Sequence, residues 1–283
     1  MGQGGRRLVA DVRERRRPWL SVVTICLNCA SELEKTMASV LRWPASEVEY
    51  IIVDGGSTDG TLELLRQYDD QLEYWVSEPD HGISDAFNKG ISLCRGRIIG
   101  LLNAGDWYTA EALAAVREGF AIRPEPGVLC GRMQFWQGDR MAYCTDSEPA
   151  LLARDMSVAH PACFVRASVY HALGGFDGDF RLAMDYELFL RFYSQGVTFA
   201  RSSTVLTNMQ HDGISEKRWR MALAETHRAR QRYVPGSVYA SRIYLHWLTA
   251  RRYLRFALQK MGMHGLVRFY REHLAAVTKV KPS

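Results

Sequence analysis

The chain has 283 residues, of which 47% are hydrophobic and 24% charged, and a net charge of +5; this is the composition of an ordinary globular protein, long enough for one large domain or one domain with appendages. The charge is unevenly spread: residues 1–17 carry +4, residues 216–283 carry +12, and the segment between them carries −11. This excludes a nucleic-acid groove spread over the fold, and points to acids gathered for a metal and to a basic end that meets something anionic, such as a membrane surface.

Residues 1–17 are rich in Gly and Arg and are predicted to be disordered. They lack the apolar core of a signal peptide, and nowhere does an apolar run reach the ~18 residues of a membrane span. Residues 20–26 form an apolar, β-branched run that predicts a buried strand. The helical spacing of Leu33, Met37, Val40 and Leu41 predicts a helix over 31–42, with Ser31 as its N-cap. Next come a strand over 48–53, a helix over 61–68, a strand over 72–76, a helix over 83–93, a strand over 98–102 and a helix over 110–120. Four alternations of strand and helix predict an α/β fold with a parallel sheet, right-handed crossovers and helices on both faces.

Such a sheet binds ligands beyond the carboxyl ends of its strands. Three strands deliver an acid there, namely Asp54, Asp80 and Asp106, and the first strand ends near Thr24 and Asn28. Each acid alone reads as turn chemistry. Three together repel one another unless a cation or hydrogen-bond donors compensate them. The six cysteines lie mostly in apolar contexts; Cys26 and Cys29 share a two-residue spacer, but no second pair follows. All six read as reduced structural thiols of a cytosolic protein.

The ordered set Leu20-Ser-Val-Val-Thr-Ile, Val53-Asp-Gly-Gly-Ser-Thr-Asp-Gly-Thr, Ser77-Glu-Pro-Asp-His-Gly-Ile-Ser-Asp-Ala-Phe-Asn-Lys-Gly-Ile and Leu102-Asn-Ala-Gly-Asp strongly resembles the family 2 glycosyltransferases over residues 20–215. The resemblance implies a GT-A (Rossmann-like) sheet, with a nucleotide-sugar half over 18–133, an acceptor half over 134–215 and a basic helical extension over 216–283. It also implies an inverting transfer of a sugar from a nucleotide-sugar, a UDP- or dTDP-sugar, to a hydroxyl of a glycan in bacterial surface polysaccharide synthesis. Asp54 is then the acid that accepts from the base, and Asp80 a second acid on the nucleotide side. Asp85, Asn88 and Asn103 are further donor-side residues, and Lys89 is on the same helical turn. Mg²⁺ or Mn²⁺ is the implied cofactor. The chain departs from the family's Asp-x-Asp element, with Asn103 and Gly105 where acids are usual, so Asp106 is the remaining carboxylate and His211 is the implied additional ligand. A hard cation can be held by one carboxylate with waters and substrate phosphates.

In the second half, Asp185 opens an amphipathic helix that starts at Met184. As a plain helix-start acid it is favoured by the dipole; by the resemblance it is the general base that deprotonates the acceptor hydroxyl. Glu187 is the rival, pointed about 200° away on the helix, and His160 is expected to line the acceptor or diphosphate pocket. The region from 216 onward reads as basic amphipathic helices with aromatics (Tyr239, Tyr244, Trp247, Tyr253, Phe256). These suit either an anionic membrane surface or packing on the domain. The membrane reading fits a peripheral protein on the cytoplasmic face with a polyprenyl-diphosphate-linked acceptor. Two other classes compete. A nucleotidyltransferase would carry a Gly-rich basic phosphate loop after the first strand, which Cys26-Leu-Asn-Cys-Ala30 is not. A non-catalytic nucleotide-sugar-binding module is permitted by Asn103 and Gly105 but opposed by Asp185.

Overall fold

The computed structural model describes residues 2–9, 17–210, 218–261, 263 and 279–280. The strands are β1 (Gly2–Gly4), β2 (Leu20–Cys26), β3 (Val48–Asp54), β4 (Tyr74–Ser77), β5 (Ile98–Asn103), β6 (Trp107–Tyr108), β7 (Val128–Gln137), β8 (Arg140–Thr145), β9 (Cys163–Arg166), β10 (Phe199–Gln210) and β11 (Lys279–Val280). The helices are α1 (Ala30–Leu41), α2 (Thr61–Gln67), α3 (Ile83–Leu93), α4 (Ala112–Ala121), α5 (Ala167–Leu173), α6 (Met184–Ser194), α7 (Trp219–Tyr233) and α8 (Arg242–Lys260). The strands form one sheet in the order β1-β4-β3-β2-β5-β9-β7-β10-β6, with β8 on β7 and β11 on β8. The stretch β4-β3-β2-β5 is parallel, while β9 inserts antiparallel between β5 and β7.

β2 and β3 are buried at every position, because helices cover both faces of the sheet. Alternate residues therefore feed two cores. Leu20, Val22, Ile52 and Leu102 pack with Leu33, Met37 and Val40 of α1 and with Val116 and Phe120 of α4. Val23, Ile25, Ile51, Val53 and Leu101 pack with Phe87 of α3 and with Leu188, Phe189 and Phe192 of α6.

The register sets the functional edge. Cys26 lies beside Asp54, Asp54 beside Ser77, and Ile25 beside Asn103, so the four parallel strands end in one row.

Two expectations are corrected. Disorder does not hold for residues 2–9: Gly2–Gly4 pairs antiparallel with β4, and Arg7 is buried against Glu49 at 2.9 Å. The pairing is stabilised by Glu49, which also accepts from the backbone N–H of Gly96 at 3.0 Å. Residues 10–16 lie outside the described residues. Ser31 is not the N-cap of α1; Cys29 holds that place, and the Ser31 hydroxyl donates to Glu32 instead. Of the two readings of the basic region beyond 216, packing on the domain holds for α7, whose Ala229 packs in a third apolar cluster with Phe180, Ala183, Tyr186 and Leu190. The helical pattern expected over 266–277 lies outside the described residues. No helix among the described residues is long and apolar enough to cross a membrane.

Candidate functional site

Asp54 ends β3 with no solvent exposure. Its Oδ2 accepts from Ser77 Oγ at 2.6 Å and from the backbone N–H of Ser57 at 3.0 Å and of Gly56 at 3.3 Å, and its Oδ1 accepts from the Ser57 hydroxyl. A buried carboxylate needs such donors. Asp54 therefore folds the loop 55–58 around itself and ties it to β4. Asn28 locks the same loop from the other side. It has φ +50°, its Oδ1 accepts from the backbone N–H of Thr58 at 2.8 Å, and its own backbone N–H reaches Ser57 Oγ at 2.7 Å.

Asp80 follows β4, and its Oδ1 accepts from Gly82 N–H at 2.8 Å. Its other oxygen lies so close to Gly55 that a Cβ there would stand 2.5 Å away. Gly55 is thus the residue that lets the second acid reach the loop of the first. Asp85, in the first turn of α3, accepts from the His81 backbone N–H at 3.0 Å and closes the loop between them.

Asp106 is buried in the turn after β5, with its Oδ2 3.3 Å from Asn103 Nδ2. Thr36 of α1 holds this turn: its hydroxyl accepts from Gly105 N–H at 2.9 Å and donates to the Asp106 carbonyl at 2.7 Å. Gly105 has φ +94°, a conformation that an acid in its place would adopt only under strain. Asn103 and Asp106 together offer one carboxylate and one amide, and the described residues contain no group of three His, Cys, Asp or Glu that could hold a metal. By themselves these residues do not make a cation cage. His211 lies outside the described residues.

Three predicted site residues are placed elsewhere. Thr24 is fully buried mid-sheet, and its Oγ1 accepts from the Tyr50 hydroxyl at 2.9 Å. Asn88 faces the turn before α6, donating to the Phe176 carbonyl at 2.8 Å and accepting from the Phe176 N–H at 2.7 Å. His160 is buried among Phe87, Phe176 and Phe189, with ring centroids 5.4, 5.7 and 6.0 Å away. Burial pushes its pKa down to about 4, so it is neutral at pH 7. Lys89 pairs with Glu78 at 2.7 Å.

On the acceptor side, Asp185 stands in the first turn of α6, where its Oδ1 accepts from the Tyr186 N–H at 2.8 Å. Burial pushes its carboxyl above the usual range, while that N–H pulls the other way. Ser84 Oγ reaches Met184 Sδ at 3.0 Å, so the start of α3, which follows the Asp80 loop, meets the start of α6. Glu187 is fully buried, paired with Arg191 Nε at 2.9 Å and accepting from the Tyr233 hydroxyl. Both of its oxygens are thus engaged within the fold.

The sequence reading missed the residues of α7 that hold α6. Glu225 Oε2 accepts from the backbone N–H groups of Arg181, Leu182 and Ala183 at 3.1, 2.8 and 2.9 Å. Arg230, almost fully buried, reaches Tyr186 Oη at 3.1 Å and the Arg154 carbonyl at 2.6 Å. One signal was legible: Glu225 is the single acid between Lys217 and Arg271.

A wound sheet that gathers carboxylates beyond its parallel strand ends, next to a second half bearing a helix-start acid, is a GT-A fold. Solved structures share this fold. The S. aureus TarS 1-349 complex with UDP-GlcNAc aligns at TM-score 0.60 and 15% identity over 74% of this chain and 64% of that one. The mannosyltransferase PcManGT from Pyrobaculum calidifontis, in complex with GDP-Man and Mn²⁺, aligns at TM-score 0.60 and 19% identity over 86% of this chain and 71% of that one. Residues 21–149 match the Glycosyl transferase family 2. An uncharacterized glycosyltransferase of Mycobacterium tuberculosis is 33% identical over 179 residues, 62% of this chain and 68% of that one. A PGL/p-HBAD biosynthesis glycosyltransferase of Mycobacterium bovis is 27% identical over 188 residues, 65% of this chain and 73% of that one. The chain belongs to the family 2 glycosyltransferases.

Proposed function

We propose that the protein is an inverting glycosyltransferase that moves a sugar from a UDP- or dTDP-sugar to a hydroxyl of a glycan or glycolipid, with Asp185 as the general base. The observation that supports this reading is the meeting of two helix starts: Ser84 against Met184 joins the start of α3, which follows the Asp80 loop, to the start of α6, which carries Asp185. Asp185 Oδ1 is held by the Tyr186 N–H, and Oδ2 is the oxygen that takes the acceptor's proton. The acceptor oxygen then bonds to the anomeric carbon as the bond from that carbon to the diphosphate breaks. The electron pair leaves on the nucleoside diphosphate. A single displacement inverts the centre and needs no carboxylate nucleophile.

Asp54 and Asn28 order the loop that receives the base and ribose, and Asp80 adds a polar contact beside it. For Asp54 to accept from the base directly, one of its present donors must give way to the ligand. The Mg²⁺ or Mn²⁺ expected with the donor would rest on Asp106, with His211 as the further ligand and the diphosphate and water supplying most of its oxygens. No step depends on it here. Relatives named for glycolipid assembly, such as the M. bovis protein, support a lipid-linked acceptor. The exposed apolar side chains of α8, including Ile243 (82% exposed) and Trp247 (49%), among Arg242, Arg251 and Arg252, support seating on an anionic leaflet.

The test is nucleoside diphosphate release from UDP-glucose, UDP-GlcNAc and dTDP-glucose, with and without Mn²⁺. Asp185→Asn is expected to lower turnover by about 10²–10⁴-fold while retaining stabilisation by the nucleotide in a thermal melt. Wild-type turnover is expected to fall as pH drops through the raised pKa of Asp185, because the base must be ionised, and so to fail at a higher pH than an ordinary aspartate would dictate. Full activity in Asp185→Asn would overturn the assignment.

A further inference from the structure

We infer that Glu225 is a positioning residue for Asp185, so that α7, from the basic end of the chain, is part of the catalytic apparatus. This rests on the reading of Asp185 as the base.

The N-cap position of α6 supplies no side-chain acceptor. It is held by Ala183, and no side-chain cap bond is made there. The orphan N–H groups of a helix start need partners when buried. Here the Ala183 N–H, together with the two N–H groups that lead into it, finds its partner on another helix. One oxygen of Glu225, a residue 8% exposed, takes three successive backbone N–H groups, from Arg181 to Ala183. Consecutive N–H groups converging on one anion form a rigid nest, and a charged acceptor strengthens each bond. The positive end of the α6 dipole adds to the attraction. The last of these donors is two residues before Asp185. The nest therefore sets where α6 begins, and with it the direction in which the Asp185 side chain leaves the backbone.

The rest of α7 keeps Glu225 in place. Arg230 bonds to Tyr186 Oη, and the Tyr186 hydroxyl donates to the Leu152 carbonyl at 2.8 Å. Tyr233 donates to Glu187, and Arg228 reaches the Asp179 carbonyl at 2.6 Å. These bonds fall on both sides of Asp185, at 179 and at 186–187, so α7 grips the base from before and after. A displacement of about 1 Å at a reacting group can cost about 10²-fold in rate, which is the scale of effect expected when the nest is lost.

The experiment measures nucleoside diphosphate release from whichever of UDP-glucose, UDP-GlcNAc and dTDP-glucose turns over best, together with nucleotide affinity. The variants are Glu225→Ala, Glu225→Gln, Asp185→Asn and the double variant Glu225→Ala/Asp185→Asn. Glu225→Ala is expected to lower kcat about 10–100-fold with the donor KM within about twofold, because the bonds that hold the donor-side acids do not involve Glu225. Glu225→Gln, which keeps an acceptor oxygen, is expected to recover most of that loss. In the Asp185→Asn background Glu225→Ala is expected to have no further effect on kcat, since no base remains to be aimed. If Glu225→Ala does not fold, Glu225→Asp, which withdraws the oxygen by one methylene, is read by the same criteria. Wild-type kcat in Glu225→Ala, beside an inactive Asp185→Asn, would overturn the inference and leave the base reading intact. An equal loss on both backgrounds would make Glu225 a matter of fold stability and overturn it likewise. An active Asp185→Asn would instead sink the base reading.

Discussion

The two halves of the site hold their acids by different means. On the donor side each carboxylate has a partner in its own turn, Asp54 at residues 56 and 57, Asp80 at residue 82 and Asp106 at residue 103, while Ser77 of β4 also binds Asp54 and Thr36 of α1 holds the Asp106 turn. On the acceptor side the support comes from far along the chain. Glu225 holds the approach to Asp185 from more than forty positions away, and Tyr233 bonds to Glu187 across 46. Support within each turn makes the donor acids properties of short loops, braced by β4 and α1. Remote support makes Asp185, the proposed base, a property of how α6 and α7 pack, and so exposes it to whatever acts on α7 and α8.

The largest effect on stability that sharpens this contrast is expected at His160, at the aromatic centre of the acceptor half. Its pKa is about 4 when folded and 6.5 as the ordinary value. Between these limits the unfolded chain binds more protons than the folded one, so stability falls as pH is lowered from 6.5 toward 4 and is independent of this group outside that window. The loss approaches about 3 kcal/mol. His160→Phe, which keeps an aromatic ring among Phe87, Phe176 and Phe189, is expected to abolish that slope in urea unfolding at pH 4.5 and 7. An unchanged slope in the variant would place the titration elsewhere.

Asn88 comes next, and it separates what was expected from what is found. If it lined the donor pocket, Asn88→Ala would weaken nucleotide binding. Its amide instead occupies both backbone groups of Phe176. Losing two buried partners costs about 2–3 kcal/mol. The variant is therefore expected to unfold at lower urea concentration while binding nucleotide within about twofold of wild type. Weak binding with unchanged stability would restore Asn88 to the pocket.

These two residues show where a sequence stops being legible. The alternating strands and helices came through because periodicity is written into each segment; β2 and α3 fall on the expected ranges 20–26 and 83–93. The places of Asp54, Asp80 and Asp106 beyond the strand ends came through because a strand end, a turn and a carboxylate are consecutive in the chain. Thr24, Asn88 and His160 did not, since a polar residue in an apolar segment reads alike whether it faces a ligand or a partner from a distant turn. Tyr50, Phe176 and the aromatic cage are such partners, and only the folded packing brings them in. Glu225 was overlooked for the same reason: its importance lies in three N–H groups more than forty residues upstream.

Gly55 carries the smallest expected effect and the sharpest reading of the donor half. A Cβ on this residue would stand 2.5 Å from Asp80 Oδ2. That oxygen ends a short, partly exposed side chain, so in Gly55→Ala the carboxylate swings aside at little cost to the fold, within about 0.5 kcal/mol. What changes is its position beside the loop that Asp54 and Asn28 order. If Asp80 contacts the nucleotide from where it now stands, Gly55→Ala is expected to weaken nucleotide binding about tenfold, about 1.4 kcal/mol, with the kcat of saturated enzyme nearly unchanged. Calorimetric titration with UDP and dTDP reads the first quantity, and nucleoside diphosphate release at saturating donor reads the second. Wild-type affinity in Gly55→Ala would show that closeness to the Asp54 loop is incidental to binding. A fall in kcat at constant affinity would move Asp80 from the nucleotide to the reacting end of the donor, nearer to Asp185 than the resemblance implies.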